Sequence, residues 1–162
     1  MESNHKVIQK AVGNALSGEG AHAATGNLFE GLDWKLAGMR PEGAPHTIFD
    51  LIAHMTFWQD WAVKWLDGEK PPVPRHAAGS WPKSPAPAST EDWMKAAKAF
   101  RSSLAGLEQR ARKIDLLAKR GKNTGLRLLH VIASHNSYHG GQVVFLRKML
   151  GAWPPPSGGL NW

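Results

Sequence analysis

The interior positions of one predicted helix near the C-terminus alternate in steps of four and three residues. They are Leu128, Ile132, His135, His139, Gln142, Leu146 and Met149. This spacing predicts a long helix with one face packed against other helices. Two imidazoles and an amide occupy three consecutive positions where apolar side chains are expected. Buried polar groups are costly unless a partner satisfies them, and a metal ion would satisfy these.

The rest of the chain also carries helical patterns and few strand signals. Thr47 followed by Asp50 predicts a capping-box start for one helix, which then runs to about Leu66. We also predict helices over residues 5–17, from Thr90 to about Ile114 and from Thr124 to Gly151, with one or two short helical turns over 22–39. The inner side of the first helix is predicted to carry Ile8, Val12, Ala15 and Leu16. The fold class predicted from these patterns is all-α, a four-helix bundle.

A long irregular connection separates the second and third main helices of this prediction. Residues 69–89 hold Pro71, Pro72, Pro74, Pro82, Pro85 and Pro87, and proline interrupts regular helices. A connection of this length in a compact domain usually crosses the body of the domain or covers a site. With 162 residues and no internal repeat, we expect residues 1–162 to form a single domain.

Composition excludes several classes of site. The chain has no cysteine, so disulfides, iron–sulfur clusters and thiolate-bound zinc are excluded. The net charge is +7, but the basic residues are spread along the chain, and their densest patch, from Arg110 to Arg127, has no interleaved aromatic residue, which argues against a nucleic-acid partner. No stretch approaches the roughly 20 apolar residues of a membrane span, and residues 1–6 lack the apolar core of a signal peptide. We expect a cytoplasmic protein with no membrane partner.

A third histidine lies on an apolar stripe of the second main helix, which is formed by Leu51, His54, Trp58, Trp61 and Trp65. His135 and His139 are four residues apart and therefore point the same way from adjacent helical turns. Together with His54 from a facing helix, they predict a divalent metal site with positions left open to water or substrate. Zinc, nickel and iron all suit imidazole ligands. The alternative is that the three rings are hydrogen-bonded core residues without a metal.

The general base of such a site is not identified by the sequence, and catalytic residues are left unassigned. The zinc-protease motif needs glutamate directly after its first histidine, whereas Asn136 follows His135. Residues 124–151 contain no aspartate or glutamate. We expect Trp58, Trp61 and Tyr138 to form pocket walls and Gln142 to hydrogen-bond near the metal or the substrate. Trp61 and Tyr138 could equally be ordinary packing residues.

Two segments resemble the DinB/YfiT-like superfamily. The stretch from His130 to Gln142, followed by Leu146-Arg147 and Leu150-Gly151, resembles the last helix of that superfamily. The Pro45-His46-Thr47-Ile48 entry into the helix carrying His54 resembles its second helix. The resemblance extends over essentially the whole chain. It implies a four-helix bundle, a divalent metal on His54, His135 and His139, and a homodimer. Gly140 and Ser134 depart from the pattern, where a basic residue and asparagine are frequent.

The resemblance also implies a class of function. Relatives include metal-dependent thiol S-transferases, a thiol-dependent isomerase and many proteins described as metal-dependent hydrolases. We therefore expect an enzyme that acts on a small molecule, with a low-molecular-weight thiol as a candidate co-substrate. The missing carboxylate base mildly favours thiol transfer over hydrolysis. The alternative is a non-catalytic, metal-binding bundle of the stress response.

Overall fold

The computed structural model describes residues 3–159, which are mainly helical, as the sequence predicts. The five α-helices of this range are α1 (Asn4–Ser17), α2 (Trp34–Gly38), α3 (Ile48–Leu66), α4 (Thr90–Lys113) and α5 (Gly125–Met149). Short 3-10 helices form at Thr25–Asn27 and Ala77–Ser80. A two-residue antiparallel hairpin, β1 (Lys119–Arg120) and β2 (Asn123–Thr124), precedes α5. The last part of the predicted C-terminal tail, residues 160–162, lies outside the described residues.

Side-chain caps set the starts of the long helices. The predicted capping box of α3 is confirmed: the Thr47 hydroxyl accepts from the Asp50 amide at 3.0 Å, and the Asp50 carboxylate accepts from the Thr47 amide at 2.9 Å. Helix α4 begins at Thr90 as predicted, and Ser89 caps it. Helix α5 is capped by Thr124 but ends at Met149, two residues before the predicted end at Gly151.

The four long helices pack against one another. Helix α1 contacts α4 and α5, and helix α3 contacts the same two helices. Their shared interior is apolar. It includes Leu51, Phe100, Leu107, Leu129 and Val143, all fully buried. The predicted inward face of α4 is buried from Trp93 to Ala111, and Ile114 is half-buried. This packing brings the middle of α5 directly opposite the N-terminal half of α3.

Several predicted inward positions are wrong. Ala15 is exposed, and Met149 is 47% exposed. Leu51 and His54 of the predicted stripe of α3 are buried. The other buried residues of α3 lie off that stripe and are Ile48, Asp50, Ile52, Met55, Gln59, Ala62 and Leu66. The three tryptophans of the predicted stripe lie half-buried beside these residues. A large indole can cover the edge of a core without entering it, so its helical position indicates the core direction poorly.

The connection between α3 and α4 passes beside the N-terminal half of α3. The Thr47 hydroxyl donates to the Pro85 carbonyl at 2.5 Å, and the carbonyl oxygen of the buried Ser80 lies 3.2 Å from Nδ1 of His54. Both contacts bring the proline-rich segment over the face that carries His54. Within residues 3–159, no helix combines the length and the apolar character that a membrane crossing requires.

Candidate metal centre

His54, His135 and His139 meet between α3 and α5. One ring nitrogen from each lies within 4.8 Å of the other two. The ring centres are 5.0 Å apart for His54 and His135, 4.8 Å for His54 and His139, and 4.5 Å for His135 and His139. His54 and His139 are buried, and His135 is half-buried. The structure therefore brings the three predicted ligands to one place.

Hydrogen bonds orient two of the rings. The Nδ1 atom of His54 lies 3.2 Å from the Ser80 carbonyl, and Nδ1 of His139 lies 2.7 Å from the amide oxygen of Gln142. Because each oxygen can only accept, each Nδ1 carries the proton and donates. The Nε2 atom of each ring is left with a free lone pair. Ring orientation by a partner on the other nitrogen is the usual arrangement for metal-binding histidines.

The three imidazoles are neutral at physiological pH. Burial lowers the pKa of His54 to about 4 and the pKa of His135 to about 4, and repulsion from the neighbouring imidazoles acts in the same direction. Burial also lowers the pKa of His139. The neutral ring is the form that donates a lone pair to a metal.

The donor set fits a divalent cation that prefers nitrogen. The Nε2 atoms of His54 and His135 face each other at 3.1 Å. In a tetrahedral zinc site with bonds of about 2.0–2.1 Å, two ligand nitrogens are about 3.3–3.4 Å apart. The buried Nδ1 of His135 has no hydrogen-bond partner among residues 3–159. A hydrogen bond from Nε2 of His135 to Nε2 of His54 would satisfy one nitrogen of the ring but would leave the buried Nδ1 unpaired, which weakens the alternative without a metal.

Trp81 of the proline-rich connection covers the His54 ring. The indole is parallel to His54, with ring centres 4.0 Å apart, and parallel to His46, also at 4.0 Å. Two rings at that separation cannot share one face of the indole, so His46 and His54 lie on opposite faces. His46 is not among the site residues predicted from the sequence. No spacing rule links residues 46 and 81 to residue 54, so the sequence carried no signal for this stack.

A buried polar network adjoins the same site. Gln59 is fully buried; its amide oxygen accepts from the Ser103 hydroxyl at 2.6 Å, and its amide nitrogen donates to the Asn136 oxygen at 3.3 Å. These contacts join α3, α4 and α5 at the residue next to His135. The network fixes the position of α5 relative to α3, the two helices that carry the histidines.

The predicted pocket residues divide into two pairs. Gln142 bonds to His139, and the Tyr138 ring packs edge-on against the His139 ring with centres 4.9 Å apart. Trp58 instead packs against Phe57 and Trp61, and the Trp61 indole donates to the carbonyls of Pro71 and Pro72 at 3.1 and 3.2 Å. The structure therefore brings Tyr138 and Gln142 to the histidines, while Trp58 and Trp61 contact a different part of the chain.

A cavity of about 550 Å³ lies between α5 and the segment that enters α3. None of the three histidines is among its lining residues, but Tyr138 and Gln142 of the lining contact His139. Its lining includes His46, Leu51, Tyr138, Gly141, Gln142 and Phe145. Sites for small molecules commonly have volumes of about 300–1,000 Å³. Gln142 belongs both to this lining and to the histidine cluster.

We expect the metal-free protein to lose stability as the pH falls. Between pH 6.5 and about 4, the unfolded chain binds protons at residues 54 and 135 that the folded chain does not bind. The stability present above pH 6.5 is therefore lost progressively down to about pH 4. The expected loss is on the order of 3 kcal/mol for the pair, about half the ideal value because the rings hydrate on protonation. Urea unfolding at a series of pH values in chelator measures it. A double His54→Gln, His135→Gln variant with the same pH dependence would contradict this assignment.

Comparison with known proteins gives one match. A family model described as DinB superfamily matches residues 19–143. No curated protein and no solved structure matches the chain. The matched range covers most of the chain and contains all three histidines.

Proposed function

This chain belongs to the DinB superfamily, and from that premise we propose that it is a metal-dependent enzyme whose divalent cation is held by His54, His135 and His139. One observation carries the proposal: three neutral imidazoles converge to within 4.8 Å, two of them with Nδ1 engaged and Nε2 free. As part of the same proposal, α1, α3, α4 and α5 form a four-helix bundle in one domain. The contacts of α4 and α5 with both α1 and α3 support it.

The chain supplies the orientation and the covering of the site. The Ser80 carbonyl and the Gln142 amide oxygen hold the imidazoles of His54 and His139 with Nε2 presented. Trp81 covers one face of His54 and limits the access of water. A zinc, nickel or iron ion bound there would lower the pKa of a water molecule or a thiol in its open positions.

Thiol S-transfer is the reaction that we favour over hydrolysis. Within residues 3–159, no carboxylate oxygen lies within 4.0 Å of a ring nitrogen of the three histidines. The nearby Asp50 carboxylate is already held by the Thr47 amide and by Arg40. A free thiol has a pKa of about 8.5, far below the 15.7 of bulk water, so a thiolate forms with less help from a separate base. The proposed substrates are a low-molecular-weight thiol and a small electrophile.

We propose a homodimer as the quaternary state. Val131, Tyr138 and Phe145 recur every seven residues along α5 and are 52%, 67% and 64% exposed. An exposed apolar stripe of this kind marks a contact with a partner. Sedimentation of the wild-type chain as a monomer at all concentrations would contradict the dimer. The cytoplasmic location stays a prediction from sequence.

The reaction is tested with protein loaded separately with zinc, nickel and iron. Low-molecular-weight thiols are offered together with a chlorodinitrobenzene, and a panel of esters is offered without thiol. We expect a carbon–sulfur bond to form and chloride to leave in the presence of metal, thiol and wild-type protein. His135→Ala should abolish this turnover, and His130→Ala, which changes an exposed residue of the same helix, should retain it.

The other outcomes of this assay point to different functions. Ester cleavage without thiol would identify a hydrolase instead. Stoichiometric metal without turnover on either panel would contradict an enzyme and favour the non-catalytic metal-binding alternative.

A further inference from the structure

Two adjacent glycines in the middle of α5 have different surroundings. A Cβ on Gly140 would lie 3.0 Å from the Leu28 side chain, so close packing explains that glycine. Gly141 is exposed, and a Cβ placed on it would meet no other segment of residues 3–159 within 4 Å. Glycine inside a helix costs about 0.5–1 kcal/mol relative to alanine. Packing within the chain offers no reason for that cost at Gly141.

Gly141 does line the cavity that adjoins His139. Any larger side chain there would project into the space between α5 and the segment 42–46. The absence of a side chain at residue 141 therefore keeps the cavity open. This is the role that a glycine has where a ligand lies close to the backbone.

The lining of the cavity is mostly apolar, and its polar side chains include Gln142, which bonds to His139, as well as His46 and Glu42. Leu51, Phe145, Leu146 and Met149 supply apolar surface. The Gln142 oxygen accepts from His139, so the amide NH₂ of Gln142 remains as a hydrogen-bond donor. The ring of His46, stacked on Trp81, lines the cavity as well. A ligand oxygen placed against Gln142 would lie beside the His139 ring.

We propose that this cavity binds an apolar small molecule that carries a hydrogen-bond acceptor oxygen, such as an aryl ketone or ester. The apolar part lies over Gly141 against Phe145, and the oxygen accepts from the Gln142 amide. The identity of this molecule as the electrophilic substrate rests on the proposed function, whereas its binding requires no metal. The dimer contact proposed above shares Tyr138 and Phe145 with this cavity. We place the small molecule in the hollow at Gly141, which has the Gln142 donor inside it, and the second copy against the exposed outer sides of those two rings.

The test measures binding to chelator-treated, metal-free protein by calorimetry. The probes are benzylacetone, a neutral aryl ketone, and butylbenzene, a hydrocarbon of nearly the same shape. Neutral probes are used because the net charge of +7 attracts anions unspecifically. We expect one benzylacetone per chain and binding about tenfold weaker for butylbenzene, since the hydrocarbon leaves the Gln142 donor unpaired.

Three variants locate the binding. Gly141→Leu fills the cavity and should weaken both probes about tenfold or more, without lowering the melting temperature because leucine favours helix. Gly13→Leu is the matched control, since Gly13 also lies in a helix and a Cβ placed on it would meet no other atom within 4 Å. Gln142→Glu keeps an oxygen for the His139 proton but removes the NH₂ donor. It should abolish the preference for the ketone.

Each other outcome overturns the proposal. Undetectable binding by the wild type, or unchanged benzylacetone affinity in Gly141→Leu, would show that the cavity is not the site. Binding that appears only when sedimentation shows the dimer dissociated would assign the cavity to a second copy. The protein is metal-free in this experiment, so the binding of the probes does not depend on whether the three histidines hold a metal. Failure of the probes to bind would likewise leave the proposed metal site untouched.

Discussion

His135→Ala is expected to remove the metal from the protein. The wild type should carry about one divalent ion per chain, whereas the variant should fall to background after dialysis. The reason is that His135 contributes one of three converging ring nitrogens, and its Nε2 lies 3.1 Å from that of His54. Loss of one of three ligands should weaken affinity by more than about 100-fold, since even groups that only orient a ligand contribute about 10- to 100-fold. Elemental analysis and competition with a metal-binding dye measure the change.

His130→Ala is the matched control for this experiment. His130 is exposed on the same helix and stands outside the cluster. Its substitution should leave the metal content at the wild-type value. Unchanged metal in His135→Ala, or equal loss in both variants, would contradict the assignment of ligands.

Arg147→Met is expected to destabilise the fold by about 3–5 kcal/mol, because it removes hydrogen bonds from a buried charged group. Arg147 is 2% exposed, and its guanidinium donates to the carbonyls of Leu28, Glu30 and Ala152 at 2.8, 2.9 and 2.9 Å. Methionine has a similar length but no donor, so three carbonyls lose their partner. Hydrogen bonds from a charged group contribute about 1.5–3 kcal/mol each and do not add fully. Urea unfolding followed by circular dichroism measures the loss.

Arg127→Met provides the comparison, because Arg127 is an exposed arginine of the same helix. Its effect should stay within about 0.5 kcal/mol. A loss below about 1 kcal/mol for Arg147→Met would show that water replaces the guanidinium and that the three carbonyls do not depend on it. Metal content should stay at the wild-type value in both variants that still fold.

The helices and all three clustered histidines were predicted from sequence patterns. The Thr47–Asp50 cap and the four-residue spacing of His135 and His139 depend only on backbone geometry within one helix. The approximate face of α3 was enough to include His54. It was not enough to place Trp58 and Trp61, because half-buried indoles mark the edge of the core rather than its centre.

The residues that surround the three histidines could not be predicted from local sequence patterns. Trp81 and Ser80 come from an irregular connection, and periodicity says nothing about where such a segment lies. His46 precedes the cap of α3, and only the path of the connection places it on the far face of Trp81. The three carbonyls that hold Arg147 belong to two turns distant in sequence from each other.

The sequence by itself determined the mainly helical class, the helix starts and the pairing of His135 with His139. These features follow from contacts between residues a few positions apart, which any helix of that sequence would make. Tertiary structure alone decided that Trp81 covers His54 and that a cavity opens over Gly141. Those features depend on the packing of segments far apart in the chain, which is set by the shapes of all the side chains between them rather than by any local spacing.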